Sequence, residues 1–79
     1  MAEDEPEQLV KAVTGRIAEI RRAKGFTQAQ MAVLLGTAEK NYQRIERGQN
    51  LTIHTLARIA KVLGVRAADF FVENPKRKI

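Results

Sequence analysis

The 79-residue chain contains no cysteine, no tryptophan, a single histidine and only two prolines. Without cysteine it can form neither a disulfide nor a thiolate metal site. No apolar run is long enough to span a membrane, and the acidic start is unlike a signal peptide. The sequence also lacks a phosphate loop, a metal-ligand spacing and an acid or nucleophile paired with His54. We therefore predict a cytoplasmic protein that is not an enzyme and that has no cofactor, metal site or small-molecule ligand.

Positive charge dominates the chain but is unevenly distributed. The formal net charge is +5, although Glu3, Asp4, Glu5 and Glu7 cluster at the start. Without those four acids, 14 basic residues face 5 acidic ones. A small domain with this excess of positive charge favours an anionic polymer as its partner. The alternative is a basic surface that only confers solubility.

Hydrophobic periodicity predicts an all-α domain of five helices. The first helix is predicted from about Pro6 to Lys24, with Gly15 as a point where it could divide. The fourth begins after Thr52 and ends at Gly64, and a short fifth helix runs from Ala67 to Val72. The apolar stripe of the first helix is formed by Leu9, Val13, Ile17 and Ile20. We expect a flexible acidic N-terminus over residues 1–5, a domain over 6–73 and a basic tail over 74–79.

The stretch from Thr27 to Gly48 holds two short helical patterns separated by Gly36. The first opens with Thr27 and Gln30, which have the spacing of a capping box. In the second pattern, Tyr42 and Ile45 share one face, and Gly48 suits the end of a helix because it accepts positive φ. The opposite face carries Lys40, Gln43, Arg44 and Arg47.

This segment resembles the helix-turn-helix of the lambda-repressor-like family, also called the Xre or Cro type. The resemblance extends from about Gly15 to Phe71. It implies a compact five-helix DNA-binding domain with the helix-turn-helix at helices 2 and 3, and a homodimeric transcription regulator, such as a repressor, that binds double-stranded DNA. Within the family, the segment Gln49–Ile53 is most similar to restriction–modification controller proteins. The residues that carry the resemblance are Gln28, Ala32, Gly36, Tyr42, Ile45, Glu46, Arg47 and Gly48.

The resemblance assigns roles in DNA binding to two sets of residues. The third helix is expected in the major groove, where each base pair presents a distinct pattern of donors and acceptors. Lys40 and Arg44 point most directly away from the core. The base-reading positions are Glu39, Lys40, Gln43 and Arg44. The phosphate-binding positions are Thr27, Gln28, Arg47, Asn50 and Thr52.

Arg21 and Glu46 match a family position pair that bridges the first helix to the recognition helix. The alternative is two exposed charges that contribute little stability. Ala38 stands where the family often has a capping Ser or Thr, so Thr37 is expected to cap the third helix about one residue early. Tyr42 occupies a slot usually filled by Ile or Val, so its hydroxyl must reach solvent or a partner.

A homodimer interface is expected at the fifth helix. Phe70 and Phe71 are adjacent, so their side chains diverge by about 100° and only one can point fully inward. Phe70 matches the inward position of the family, which leaves Phe71 and Val72 for a second copy of the chain. The alternative is that Phe71 folds back over the edge of the core.

The main alternative function is a protein-interaction module of the antitoxin type, in which the same helices grip a protein and DNA binding is secondary. The two functions differ in where exposed apolar surface lies and in whether DNA binding survives without a partner.

Overall fold

The computed structural model describes residues 5–71, which form four α-helices and a short 3₁₀ helix. The all-α class is therefore confirmed. Residues 1–4 of the predicted N-terminal tail (1–5), the whole predicted basic tail (74–79) and Val72 lie outside the described residues. The helices are α1 (Pro6–Ala23), α2 (Gln28–Leu35), α3 (Glu39–Glu46), α4 (Ile53–Leu63) and the 3₁₀ helix (Ala67–Phe71).

The prediction of five α-helices is wrong, because residues 5–71 form four α-helices and the fifth helical segment is a 3₁₀ helix. The amide of Asp69 donates to the carbonyl of Arg66 at 2.9 Å, which closes an i→i+3 turn. The Asp69 carboxylate in turn accepts from the Arg66 amide at 3.1 Å.

α1 runs without a break through Gly15, and its buried face differs from the predicted stripe. Val13 and Ile17 are buried as expected, but Leu9 is 45% exposed because the first turn of α1 projects beyond the core. Thr14 and Arg21 are buried instead. A polar stripe thus faces the interior beside the apolar one.

One hydrophobic core joins all the helices. α2 packs against α3 and α4, and the 3₁₀ helix packs against α1 and α4. Phe70 is 1% exposed, so it points inward as predicted, and it shares the cluster with Ile59 and Leu63. The core residues are Val13, Ile17, Met31, Ala32, Leu35, Tyr42, Ile45, Leu56, Ile59, Ala60, Leu63 and Phe70.

A threonine side chain caps both α2, where the sequence predicts a capping box, and α4, which begins after Thr52 as predicted. Thr27 Oγ1 accepts from the amide of Gln30 at 3.0 Å, and Gln30 Oε1 accepts from the amide of Thr27 at 2.8 Å, which completes the capping box. Thr52 Oγ1 accepts from the amide of Thr55 at 3.0 Å. These side chains satisfy amides that a helix start leaves without partners.

The predicted cap of α3 is wrong. Ala38 is the N-cap, in extended backbone and without a side-chain hydrogen bond, and α3 begins at Glu39. The Thr37 hydroxyl lies one position before the N-cap and accepts from Asn41 Nδ2 at 2.7 Å instead of from a helix amide. The α2–α3 turn is therefore fixed by its backbone, with Gly36 at φ 72° and the Thr37 amide bonded to the Ala32 carbonyl.

The end of α3 is fixed by a tight backbone motif. The amide of Gln49 donates to the Arg44 carbonyl and that of Gly48 to the Ile45 carbonyl, both at 2.9 Å. This is the Schellman pattern, which requires positive φ at Gly48, and φ there is 93°. A Cβ on Gly48 would lie 2.6 Å from Val10 Cγ1, so α1 passes directly over this turn.

Candidate nucleic-acid interface

α3 presents one buried and one exposed face. Tyr42 is fully buried and Ile45 is 6% exposed, whereas Lys40 and Arg44 lie on the opposite side in solvent. Of the other predicted base-reading residues, Glu39 is exposed and Gln43 is half-buried. Gln43 Nε2 and Glu39 Oε2 are 3.4 Å apart, a long contact along one side of the helix.

The Glu46 carboxylate lies at the junction of three helices and accepts four hydrogen bonds. From α1, Arg21 donates through Nε to Oε2 at 2.7 Å and through Nη2 to Oε1 at 3.3 Å. From α2, Gln28 Nε2 donates to Oε1 at 2.9 Å. Within α3, the Tyr42 hydroxyl donates to Oε2 at 2.6 Å. Both side chains of the Arg21–Glu46 ion pair are only 7% exposed.

These contacts set the ionisation of the cluster. Burial by itself raises the pKa of Glu46, but the hydrogen bonds from Arg21, Tyr42 and Gln28 and the Arg21 charge outweigh it, so this pKa lies below its ordinary value. Burial, together with the hydrogen bond to Glu46 and its charge, raises the pKa of Tyr42 well above the ordinary range. Glu46 is thus a carboxylate and Tyr42 a hydrogen-bond donor at neutral pH.

The Tyr42 and Gln28 contacts were not foreseen from the sequence as parts of this cluster. Tyr42 and Glu46 are four residues apart on α3, a spacing that places side chains together on a helix. That spacing is a usable signal for their bond. Gln28 lies 18 positions from Glu46, so its contact depends on the tertiary packing of α2 against α3.

The predicted phosphate-binding residues lie at helix ends. Thr27, Arg47, Asn50 and Thr52 are exposed, and Gln28 is half-buried because its amide nitrogen is bonded to Glu46. The Thr52 hydroxyl donates to Thr55 Oγ1 at 3.0 Å. Asn50 has φ 56°, the only positive φ among the non-glycine residues that are described. Asparagine is one of the residues that tolerate this conformation.

At the predicted dimer interface, Phe71 is 53% exposed while its neighbour Phe70 is buried. Arg16 Nε donates to the Asp69 carbonyl at 3.2 Å and ties the 3₁₀ helix to α1. Phe71 therefore projects from a segment that is anchored on both α1 and the core.

Over residues 5–71, no helix is long and apolar enough to cross a membrane. The same residues contain no group of three or more His, Asp or Glu side chains placed to hold a metal ion.

Comparisons with known proteins agree with this geometry. The helix-turn-helix family matches residues 17–70, which is more than half of the chain. The uncharacterized HTH-type transcriptional regulator y4dJ of Sinorhizobium fredii (strain NBRC 101917 / NGR234) is 38% identical over 56 residues, covering 70% of this chain and 73% of that protein. No solved structure matches at a comparable level of significance.

The family match includes all of α2, α3 and α4, together with the Arg21–Glu46 pair. It confirms the resemblance inferred from the Thr27–Gly48 stretch, and with the named relative it confirms that the chain is not an enzyme. The chain belongs to the lambda-repressor-like, or Xre-type, helix-turn-helix family.

Proposed function

We propose that this chain is a transcriptional regulator that binds double-stranded DNA with α3 in the major groove. Family membership and the similarity to a transcriptional regulator support the general function. The observation that carries the proposal is the orientation of α3. Its buried side is held by the Glu46 cluster, so Lys40 and Arg44 are directed away from the domain on a fixed helix. Such a regulator acts where the DNA is, and we place it in the cytoplasm.

Base reading is assigned to the exposed side of α3. Lys40 and Arg44 are donors that match the O6 and N7 acceptors of guanine. Gln43 can pair with adenine, and Glu39 can accept from the N4 amino group of cytosine. Glu46 has no such role, because its carboxylate oxygens already accept four hydrogen bonds.

Backbone phosphates are assigned to the helix ends on either side of α3. The capping box uses the amide of Gln30 and leaves the amides of Gln28 and Ala29 at the positive end of the α2 dipole. Thr27 accepts through its hydroxyl oxygen, so its proton can be donated to a phosphate. The second group of proposed phosphate-binding residues lies between the end of α3 and the start of α4 and consists of Arg47, Asn50 and Thr52.

A homodimer through Phe71 and Val72 completes the proposal. A half-exposed phenylalanine on an anchored segment supports a partner at this surface. Two-fold symmetry would place two recognition helices about 34 Å apart, which suits half-sites one DNA turn apart.

The test of base reading begins with selection of an operator from a random duplex library. Arg44→Ala should then weaken operator binding about 5- to 150-fold more than binding to an unrelated duplex, since one bidentate base contact supplies about 1–3 kcal/mol of discrimination. Lys61→Ala removes the same charge from the last turn of α4 and serves as the control. Equal losses on the two duplexes would show that Arg44 does not read bases.

The dimer is tested by sedimentation of the wild type and Phe71→Asp across a concentration series. A buried aspartate pair at a symmetric seam opposes association, so the variant should stay monomeric where the wild type dimerises. A wild type that is monomeric at high micromolar concentration, or a variant that dimerises equally well, contradicts this interface.

The rival function, a protein-interaction module, is favoured by one observation. Val33 and Leu34 in the last turn of α2 are 77% and 52% exposed, an apolar surface away from the predicted DNA contacts. The purified chain discriminates between the two functions. A regulator binds its selected duplex alone, whereas a chain that binds DNA only after a protein partner is added would favour the rival.

A further inference from the structure

A groove runs between α1 and α3 on the side of the recognition helix that carries Gln43. Its volume is about 540 Å³. α1 contributes Lys11, Gly15 and Arg22, and α3 contributes Gln43, Glu46 and Arg47. The groove therefore begins at a side chain proposed to read bases and extends away from it along α1.

The charge of the groove favours an anion. Lys11, Arg22 and Arg47 are cationic, and Glu46 is the single acidic residue among the lining side chains. The negative charge of Glu46 is already matched by Arg21. Between residues 5 and 71 the ion pairs are Arg16–Glu19 and Arg21–Glu46, so the three cations of the groove have no acidic partner there.

Gly15 lines the groove without a side chain, so the α1 backbone is exposed there. Glycine weakens a helix interior relative to alanine, yet nothing lies within 4 Å of a Cβ added at Gly15. Its φ is not positive, so neither packing nor backbone conformation calls for glycine at this position. A side chain here would project into the groove, and its absence allows another molecule to approach the α1 backbone closely.

We propose that this groove holds phosphates of the DNA strand that borders the major groove occupied by α3. The proposal rests on the function proposed above. Gln43 and Arg47 are four residues apart, so they lie one turn apart on the same side of α3, next to the face that carries Lys40 and Arg44. A DNA backbone that borders this face therefore passes the groove. Lys11 and Arg22 are eleven residues apart, or about 16 Å along the helix axis. That separation suits a chain of phosphates rather than one small anion.

The test measures the salt dependence of DNA affinity for Lys11→Gln, Arg22→Gln and the double variant. Each lost phosphate contact should reduce the slope of log K against log salt by about 0.9, so the double variant should lose about 1.8. Sequence preference should not change, because phosphates carry no base identity. Lys61→Gln, which removes the same charge outside the groove, is the control. Slopes equal to that of the control overturn the proposal.

Gly15→Leu tests the groove without changing charge. Leucine is a better helix former than glycine, so the variant should fold at least as well as the wild type, yet it should weaken binding to every duplex by about tenfold or more. Gly15→Ala is the matched control and should raise Tm by about 4 °C with a smaller effect on binding. Gly15→Leu with wild-type affinity would overturn the proposal.

The two proposals fail in different ways. If the wild type binds DNA but the Lys11, Arg22 and Gly15 variants behave like their controls, only the groove assignment is wrong. If the wild type binds no duplex, the proposed function is wrong and the groove assignment is wrong with it.

Discussion

Removing one partner of the Arg21–Glu46 pair should destabilise the fold far more than loss of a surface charge. Arg21→Met leaves the Glu46 carboxylate without its cation at 7% exposure, although Gln28 and Tyr42 still donate to it. Glu46→Gln removes the charge that neutralises the Arg21 guanidinium, which then has only the neutral glutamine oxygen and the Phe26 carbonyl, 2.8 Å from its Nη1, as acceptors. An unpaired buried charge costs about 3–5 kcal/mol. In a domain of this size, a loss of about 3 kcal/mol lowers Tm by about 12–24 °C.

The reasoning is tested by a double-mutant cycle on Arg21→Met and Glu46→Gln, with urea unfolding followed by circular dichroism at one ionic strength. Since the double variant contains neither charge, it should be destabilised by less than the sum of the two single losses. We expect a coupling above about 1 kcal/mol.

The chain offers its own control cycle in Arg16→Met and Glu19→Gln. That pair is separated by 3.4 Å, with side chains 23% and 36% exposed. Its coupling should stay below about 0.5 kcal/mol, the range of exposed helix pairs. A coupling for Arg21–Glu46 that does not exceed the control value would refute the claim that burial makes this pair important.

Two further predictions concern acid stability and the end of α3. The pKa of Glu46 is lower in the folded state than its ordinary value of 4.5, so its contribution to stability is present above that pH and is lost as the pH falls through the lower folded value. The stability difference between wild type and Glu46→Gln should therefore shrink on acidification below pH 4.5, and urea titrations that show it growing would contradict the shift. Gly48→Ala should lower the free energy of unfolding by about 1–2 kcal/mol because φ is positive there, and by more because the new Cβ meets Val10. Gly25→Ala is the control, since φ is 84° but no atom lies near the new Cβ, so only the backbone cost applies. Thermal melts that give equal losses for the two alanine variants would show that Val10 moves aside freely.

The parts of the fold that the sequence predicts well are those with local causes. Thr27 and Thr52 cap their helices because a hydroxyl at a helix start meets an amide three residues later, and that spacing is visible in the chain. Gly36 and Gly48 end helices because positive φ is cheap for glycine. Tyr42 and Ile45 face inward because two turns of α3 have only one apolar side.

The errors occur where a competing contact or geometry decides. Thr37 has the right chemistry for a cap, but the backbone makes Ala38 the N-cap, and the Thr37 hydroxyl accepts from Asn41 instead. Leu9 has the right period for the core, but α1 is longer than the core that it packs against. The segment after Val65 has helical residues, yet the Arg66–Asp69 contacts tighten it into a 3₁₀ helix. Whether Lys11 and Arg22 share a surface with Arg47 depends on the packing of α1 against α3, which periodicity does not encode.

The three residues that donate to Glu46 are Arg21 of α1, Gln28 of α2 and Tyr42 on the buried side of α3, and none of them lies on the exposed side with Lys40 and Arg44. The contacts that hold α3 therefore share no side chain with the positions that we propose to read bases. Under the proposed function, substitutions at Lys40 and Arg44 alter which operator is bound at little cost to folding, since exposed substitutions away from such contacts usually change stability by less than about 0.5 kcal/mol. If base reading is as proposed, a duplicated copy of this gene acquires a new operator by mutation at those two positions while the scaffold stays intact.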